Sequence, residues 1–260
     1  MRRQALAQYF LVDEGVLNCI VEAADLSSEN CVVEVGPGGG VLTRELVRKA
    51  GHVIAVELDS GLADSLASNL GDPPNLTVLK DDARTMDLGK FDVYKVVANL
   101  PYYAANPIIR RFLETENKPT KMVVTVQKEV AQSMVATPGQ MGLLSVGVQI
   151  YGAPRIVCVV PPEAFRPSPR VQSAVVCIDV FDSPLVSVHD TNRFFHLVHA
   201  GFAAPRKQIH NSLAIGTKLS SDRTIEILKK AGIDPGRRSA TLSLNEWSNL
   251  YMAYYKCSSD

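Results

Sequence analysis

This chain is short of several features that would announce a function. Of its 260 residues one is tryptophan, and the five cysteines stand far apart at positions 19, 31, 158, 177 and 257. An odd, scattered set with no pair at metal-ligand spacing argues against a metal module. It predicts reduced thiols and a cytoplasmic setting. No apolar run approaches the roughly 18–20 residues that a membrane span needs. Met1-Arg2-Arg3-Gln4 leads into mixed polar sequence rather than the apolar core of a signal peptide, so export is not expected. Repeats and low-complexity segments are missing as well. Net charge is also missing, with 27 basic residues against 27 acids. That balance by itself argues against a nucleic-acid partner.

What is present begins with the distribution of that charge. From Pro184 to Asp260 there are ten basic residues and six acids, so this stretch is basic and the remainder acidic. A basic lobe beside an acidic one suits an RNA-binding enzyme. An apolar content of 46% and the chain length allow one large domain plus a small one.

Short β-branched runs alternate with amphipathic ones. Strands are predicted over 31–35, 52–56, 76–80, 92–98 and 121–126, and helices over 14–24, 41–49, 62–70, 108–114 and 128–135. Such alternation predicts a parallel, doubly wound α/β sheet. Two later strands, 155–160 and 171–181, flank the proline-rich loop 161–169 and predict an antiparallel addition at the sheet edge. Beyond residue 184 only helices are predicted, over 191–202, 207–215, 222–231 and 244–255. The expected division is therefore a catalytic domain over 1–184 and a helical domain over 185–260.

Three motifs carry the chemistry. Gly36-Pro37-Gly38-Gly39-Gly40 follows the first predicted strand, where a sharp turn lets a ligand approach the backbone. Glu57 ends the second, where an acid takes ribose hydroxyls. Pro37 interrupts the dinucleotide fingerprint, and nothing downstream resembles a hydride-transfer acid–base pair. Asp82, after the third strand, is placed to accept from an adenine amine, although a helix cap or solvated turn explains an aspartate there equally well.

Asn99-Leu100-Pro101-Tyr102 is the most specific signal. Adenine N6 is a poor nucleophile because its lone pair is delocalised. An amide oxygen from Asn99 and a backbone carbonyl near Leu100 or Pro101 can accept its two N–H bonds and offset the charge developing on nitrogen. Tyr102 offers a flat face to the base, and Phe165 is a candidate for the other face. Arg166 and Arg170 beside Phe165 favour a nucleic-acid face. His196 and His199 share a helix face, but no third metal ligand accompanies them and no metal is expected.

These residues resemble the small-subunit ribosomal RNA adenine N6,N6-dimethyltransferases, the KsgA-type family. The similarity runs nearly end to end, through Gln8-Tyr9-Phe10-Leu11, residues 34–43, 56–59, Asp82-Ala83, the Asn99 turn, residues 165–175, Arg206-Lys207 and Asn211-Ser212-Leu213. The resemblance implies a class I methyltransferase sheet, S-adenosylmethionine as methyl donor, and two adjacent adenosines near the 3′ end of 16S rRNA as target. It implies that Tyr9, Leu11, Gly36, Gly38, Glu57, Asp82 and Asn99 line the cofactor, that Asn99, Tyr102 and Phe165 handle the base, and that Arg166, Arg170, Arg206 and Lys207 meet RNA. A monomer acting on the small ribosomal subunit is expected. The chain departs from the family pattern at Ala7, Tyr9, Tyr103 and residues 104–107, so a Tyr9 contact to cofactor would run through its backbone. Two alternatives stay open: a large-subunit rRNA methyltransferase of the macrolide-resistance type, and a ribosome-assembly or transcription factor without catalysis.

Overall fold

The computed structural model describes residues 9–89, 91–186 and 190–256. Seven strands form one sheet: β2 (Cys31–Val35), β3 (His52–Glu57), β4 (Leu76–Lys80), β5 (Tyr94–Asn99), β6 (Lys121–Gln127), β7 (Gly152–Val160) and β9 (Ser173–Val180). Their order is β4-β3-β2-β5-β6-β9-β7. The pairs β3–β4, β2–β3, β2–β5 and β5–β6 are parallel, and β6–β9 is antiparallel. The expected late strands thus add to the parallel sheet, with β9 inserted between β6 and β7.

Local sequence explains most element ends. The Asp13 carboxylate accepts from the Val16 N–H at 2.9 Å and starts α1 (Glu14–Ala24). α2 spans Val41–Lys49. Asp59 accepts from the Gly61 and Leu62 N–H groups, so α3 (Ser60–Asn69) begins two residues before the apolar periodicity does. α4 (Ala105–Glu114) likewise starts early, because Pro107 falls in its first turn, where no N–H is needed. β5 starts late, as Val93 is 76% exposed.

The chain divides into two compact units. One comprises Met1–Gln132 with Ala153–Asp182, and the other Ser133–Gly152 with Ser183–Asp260. In the first, β2, β3, β5, β6 and β9 send Val32, Val53, Val97, Val123 and Val175 into a core shared with Ile20 and Leu46 of α1 and α2. α5 (Lys128–Met134) crosses the division. The second unit gathers α6 (Leu143–Gln149), α7 (Thr191–Gly201), α8 (Ile209–Thr217), α9 (Ser221–Lys230) and α10 (Leu244–Lys256). Its centre is aromatic: Phe202 stacks on the buried Trp247, and Phe194 meets Tyr251 edge-on. The Arg237–Glu246 ion pair ties the start of α10 to the loop before it.

Several short elements were not expected. α6 is an apolar seven-residue helix capped by the Ser145 hydroxyl, which accepts from the Gly142 N–H. A two-residue strand, β1 (Phe10–Leu11), pairs antiparallel with β8 (Phe165–Arg166) in a separate small sheet. The thiol expectation also needs correction. Cys19 of α1 and Cys158 of β7 are joined as a disulfide across 139 residues of chain, a proximity that only the fold creates. Cys31 and Cys177 are free, and Cys257 lies outside the described residues. Among the described residues no helix is long and apolar enough to cross a membrane.

Candidate active site

The strand order places a topological switch between β2 and β5. The chain runs outward from β2 through β3 to β4, then returns to β5 on the other side. Ligands of open α/β sheets bind at the carboxyl ends of the strands flanking such a switch. Here a crevice opens at those ends, lined by the glycine turn, Glu57, Asp82 and the Asn99 turn.

Gly38 has φ of +53°, and a Cβ there would lie 2.9 Å from the Phe10 ring. The turn therefore requires glycine for both backbone and space. The Gly38 N–H donates to Glu57 Oε2 at 3.1 Å, and the Asp59 N–H donates to Oε1 at 2.9 Å. Two amides thus fix this buried carboxylate while leaving it lone pairs for ribose hydroxyls. Asp82 is gripped by its neighbour: Arg84 Nε donates to Oδ1 at 2.9 Å and to Oδ2 at 3.0 Å, and Nη2 donates to Oδ2 at 2.5 Å. The Arg84 hydrogen bonds hold the Asp82 carboxyl below its usual range, so it is an anionic acceptor.

Sequence reasoning quoted Glu34 only as part of a motif. It is 1% exposed, lines the crevice, and its Oε2 has no hydrogen-bond partner. Burial outweighs the lowering effect of the Thr43 hydroxyl and, with the nearby charge of Glu57, pushes its carboxyl up to about 8. An acid inside the otherwise apolar run 32–35 was the available signal. Exposed Leu58 and Val41 add apolar surface at the mouth. Acidic hydrogen-bond acceptors, a side-chain-free turn and apolar walls together fit a nucleoside carrying a cationic amino-acid arm.

On the other side, Asn99 ends β5. Its Nδ2 donates to the Tyr9 carbonyl at 3.0 Å. A carbonyl can only accept, so this bond sets the amide orientation and leaves Oδ1 as the group available to a ligand's N–H. The Pro101 carbonyl accepts from the Ala104 N–H at 2.9 Å, which closes the turn. The Tyr102 hydroxyl shares a 2.6 Å hydrogen bond with Ser173 Oγ, and burial raises the pKa of that phenol. Its ring lies against Tyr9, with centroids 5.3 Å apart.

Tyr9, Leu11, Gly36, Gly38, Glu57, Asp82, Asn99 and Tyr102 are thus brought to one crevice. Phe165 is not. It is 1% exposed, paired in register with Leu11, and packed in the core with Val16, Val160 and Ala164. In the free protein β8 draws its side chain inward. Arg166 and Arg170 are exposed on the same unit. Arg206 and Lys207 are exposed before α8 in the other unit. His196 and His199 are exposed too, and among the described residues no group of three or more metal-ligand side chains gathers.

The chain matches the family described as ribosomal RNA adenine dimethylase over residues 1–256. A protein named Ribosomal RNA small subunit methyltransferase A from Dehalococcoides mccartyi is 46% identical over 256 residues, covering 97% of this chain and 88% of that one. One of the same name from Alkaliphilus oremlandii is 40% identical over 257 residues, covering 95% and 90%. Among solved structures, 23S rRNA methyltransferase ErmE superposes with a TM-score of 0.75 at 28% identity, over 94% of this chain and 98% of that chain. A dimethyladenosine transferase from Plasmodium falciparum shares the fold, with a TM-score of 0.83 at 24% identity over 96% and 98%. The methyl donor is S-adenosylmethionine. The match takes in the crevice and both compact units, and the chain belongs to the ribosomal RNA adenine dimethylase family.

Proposed function

We propose that this protein dimethylates N6 of two adjacent adenosines in a loop near the 3′ end of 16S rRNA, in the cytoplasm and as a monomer, while the small subunit is being assembled. The observation that carries the reading is the fixed orientation of Asn99, whose Nδ2 is held by the Tyr9 carbonyl. Its Oδ1 accepts one N–H of the target amine, and the Leu100 carbonyl accepts the other. Both acceptors offset positive charge as nitrogen forms its new bond, and the methylated amine then sheds a proton to solvent. Bound S-adenosylmethionine supplies an electrophilic sulfonium methyl. Glu57 holds ribose hydroxyls, Asp82 takes the adenine amine of the donor, and Tyr102 presents its ring to the base. Residues 1–184 carry the catalysis. The helical region 185–260, with Arg206 and Lys207, meets the RNA backbone, and Arg166 and Arg170 extend that contact. Names of relatives that act on the small subunit support this target.

The likeness to a 23S rRNA enzyme favours one second reading, a large-subunit target. Both are tested by incubating the protein with labelled donor and unmodified small or large subunits, then mapping methylated nucleosides by mass spectrometry. Dimethyladenosine near the 3′ end of 16S rRNA is expected. Asn99→Ala should lower turnover by about 10²–10³-fold, the usual loss for one transition-state acceptor or donor. Methylation of large subunits alone, or of neither, overturns the proposal.

A further inference from the structure

Two segments of the chain meet twice in the first compact unit. Phe10–Leu11 of β1 pairs with Phe165–Arg166 of β8, and the Val12 N–H donates to the Ala164 carbonyl at 2.8 Å. Farther along the same two segments, Cys19 of α1 is joined to Cys158 of β7. β1 leads directly into α1, and β7 leads through residues 161–164 to β8. The disulfide therefore ties together the two segments whose pairing forms the small sheet. That sheet borders the crevice: Tyr9, Phe10 and Leu11 line it, the Tyr9 carbonyl orients Asn99, and the Phe10 ring lies beside Gly38. A two-residue pairing is a weak clasp by itself, and β7 is the outermost strand of the large sheet. A covalent tie at this place thus acts on one wall of the crevice.

Cys19 and Cys158 are both partly exposed, within reach of a small thiol reagent. Burial instead pushes the thiols of Cys31 and Cys177 up, which keeps both poorly reactive. In a cytoplasm glutathione keeps most thiols reduced, and a disulfide there is usually transient. We propose that Cys19 and Cys158 form a reversible redox site for the glutathione couple, and that closing the disulfide tightens donor binding by holding residues 9–11 in place. In the closing step one cysteine thiolate attacks a sulfur of glutathione disulfide and expels one glutathione thiolate. The second cysteine thiolate then attacks the protein sulfur of the mixed disulfide and expels the other. Two thiol protons and two electrons pass to two molecules of glutathione. The reduced form lacks the covalent tie, so ordering its crevice wall subtracts from donor affinity. Linkage makes the effect mutual: a donor that prefers the oxidised form makes the disulfide harder to reduce by the same factor. This rests on the donor occupying the crevice and adds what regulates that occupancy.

The test equilibrates the full chain in glutathione buffers from fully reducing to fully oxidising, then quenches with acid, alkylates free thiols and maps linked peptides by mass spectrometry. Calorimetry with S-adenosylmethionine is run at both extremes. A Cys19–Cys158 peptide should form and vanish reversibly. The oxidised form should bind donor at least about 5-fold more tightly, the lower end of common coupling between sites. Saturating donor should move the midpoint, read as squared glutathione over its disulfide, toward more reducing buffer by the same factor. Cys158→Ser should bind donor as the reduced wild type does, whatever the buffer. The two wild-type forms share one sequence, so their comparison stands even where that variant fails to fold. Four results overturn the proposal: no Cys19–Cys158 peptide at any ratio, a link that resists the most reducing buffer, equal donor affinity in both forms, or a change in Cys158→Ser as large as in wild type. Absence of donor binding in either form instead overturns the crevice as the donor site, and this proposal with it.

Discussion

Replacing Glu34 by glutamine should stabilise the free protein at and above neutral pH, by an amount that depends on pH in a defined way. The carboxyl is buried at 1% exposure, and its Oε2 meets no donor. Its pKa rises from the ordinary 4.5 to about 8 in the folded state. A raised acid binds its proton more tightly when folded. Its contribution is fully present below pH 4.5 and is lost as pH climbs toward 8. Each pH unit across that window costs about 1.4 kcal/mol, so on the order of 4 kcal/mol is lost between pH 5 and pH 8. Glutamine cannot ionise and escapes this loss. The stability difference between Glu34→Gln and wild type, from urea denaturation followed by far-UV circular dichroism, should therefore grow steadily over that range. Other titrating groups are common to both proteins and largely cancel. A difference that is flat from pH 5 to pH 8, or that shrinks, would refute the claim that burial outweighs every favourable contact of this carboxylate.

Gly38→Ala places a side chain in the left-handed region and against the Phe10 ring, so a loss of about 1–2 kcal/mol in stability is expected. Calorimetry should also show weaker donor affinity, because the added methyl disturbs the turn whose N–H holds Glu57; unaltered affinity would separate the turn from the cofactor. Ser173→Ala removes the partner of the Tyr102 hydroxyl and should cost about 1 kcal/mol. Its signature is a several-fold rise in KM for small subunits with donor affinity unmoved. Gly201→Ala would drive a Cβ into the buried Trp247 ring, and overpacking of this kind costs roughly 1–3 kcal/mol. Trp247 is the chain's one tryptophan, so its fluorescence should report earlier unfolding in urea.

Much of the molecule was legible from neighbouring residues. α1 and its Asp13 cap, the parallel strands, the glycine turn, the acid ending β3 and the Asn99 turn are all specified by side chains a few positions apart. Such features follow from capping, β-branching and backbone freedom, which act locally. The early starts of α3 and α4 belong here as well, since Asp59 and Pro107 were visible beforehand.

Other features depended on contacts between distant parts of the chain. The bond from Asn99 to Tyr9 crosses 90 residues, and that between Tyr102 and Ser173 crosses 71. Phe165 lies in a loop rich in proline and arginine, where a phenylalanine reads either as a core residue or as a base-facing ring. Its burial is decided by the pairing of β8 with a strand at the other end of the unit. α6 is a short apolar run that packs on α7, so its place in the second unit could not be read from its own residues. Local sequence therefore determined which groups this protein carries and the turns that present them. Tertiary packing decided which of those groups face one another, because an aromatic ring or buried carboxyl takes its chemistry from neighbours that only folding supplies.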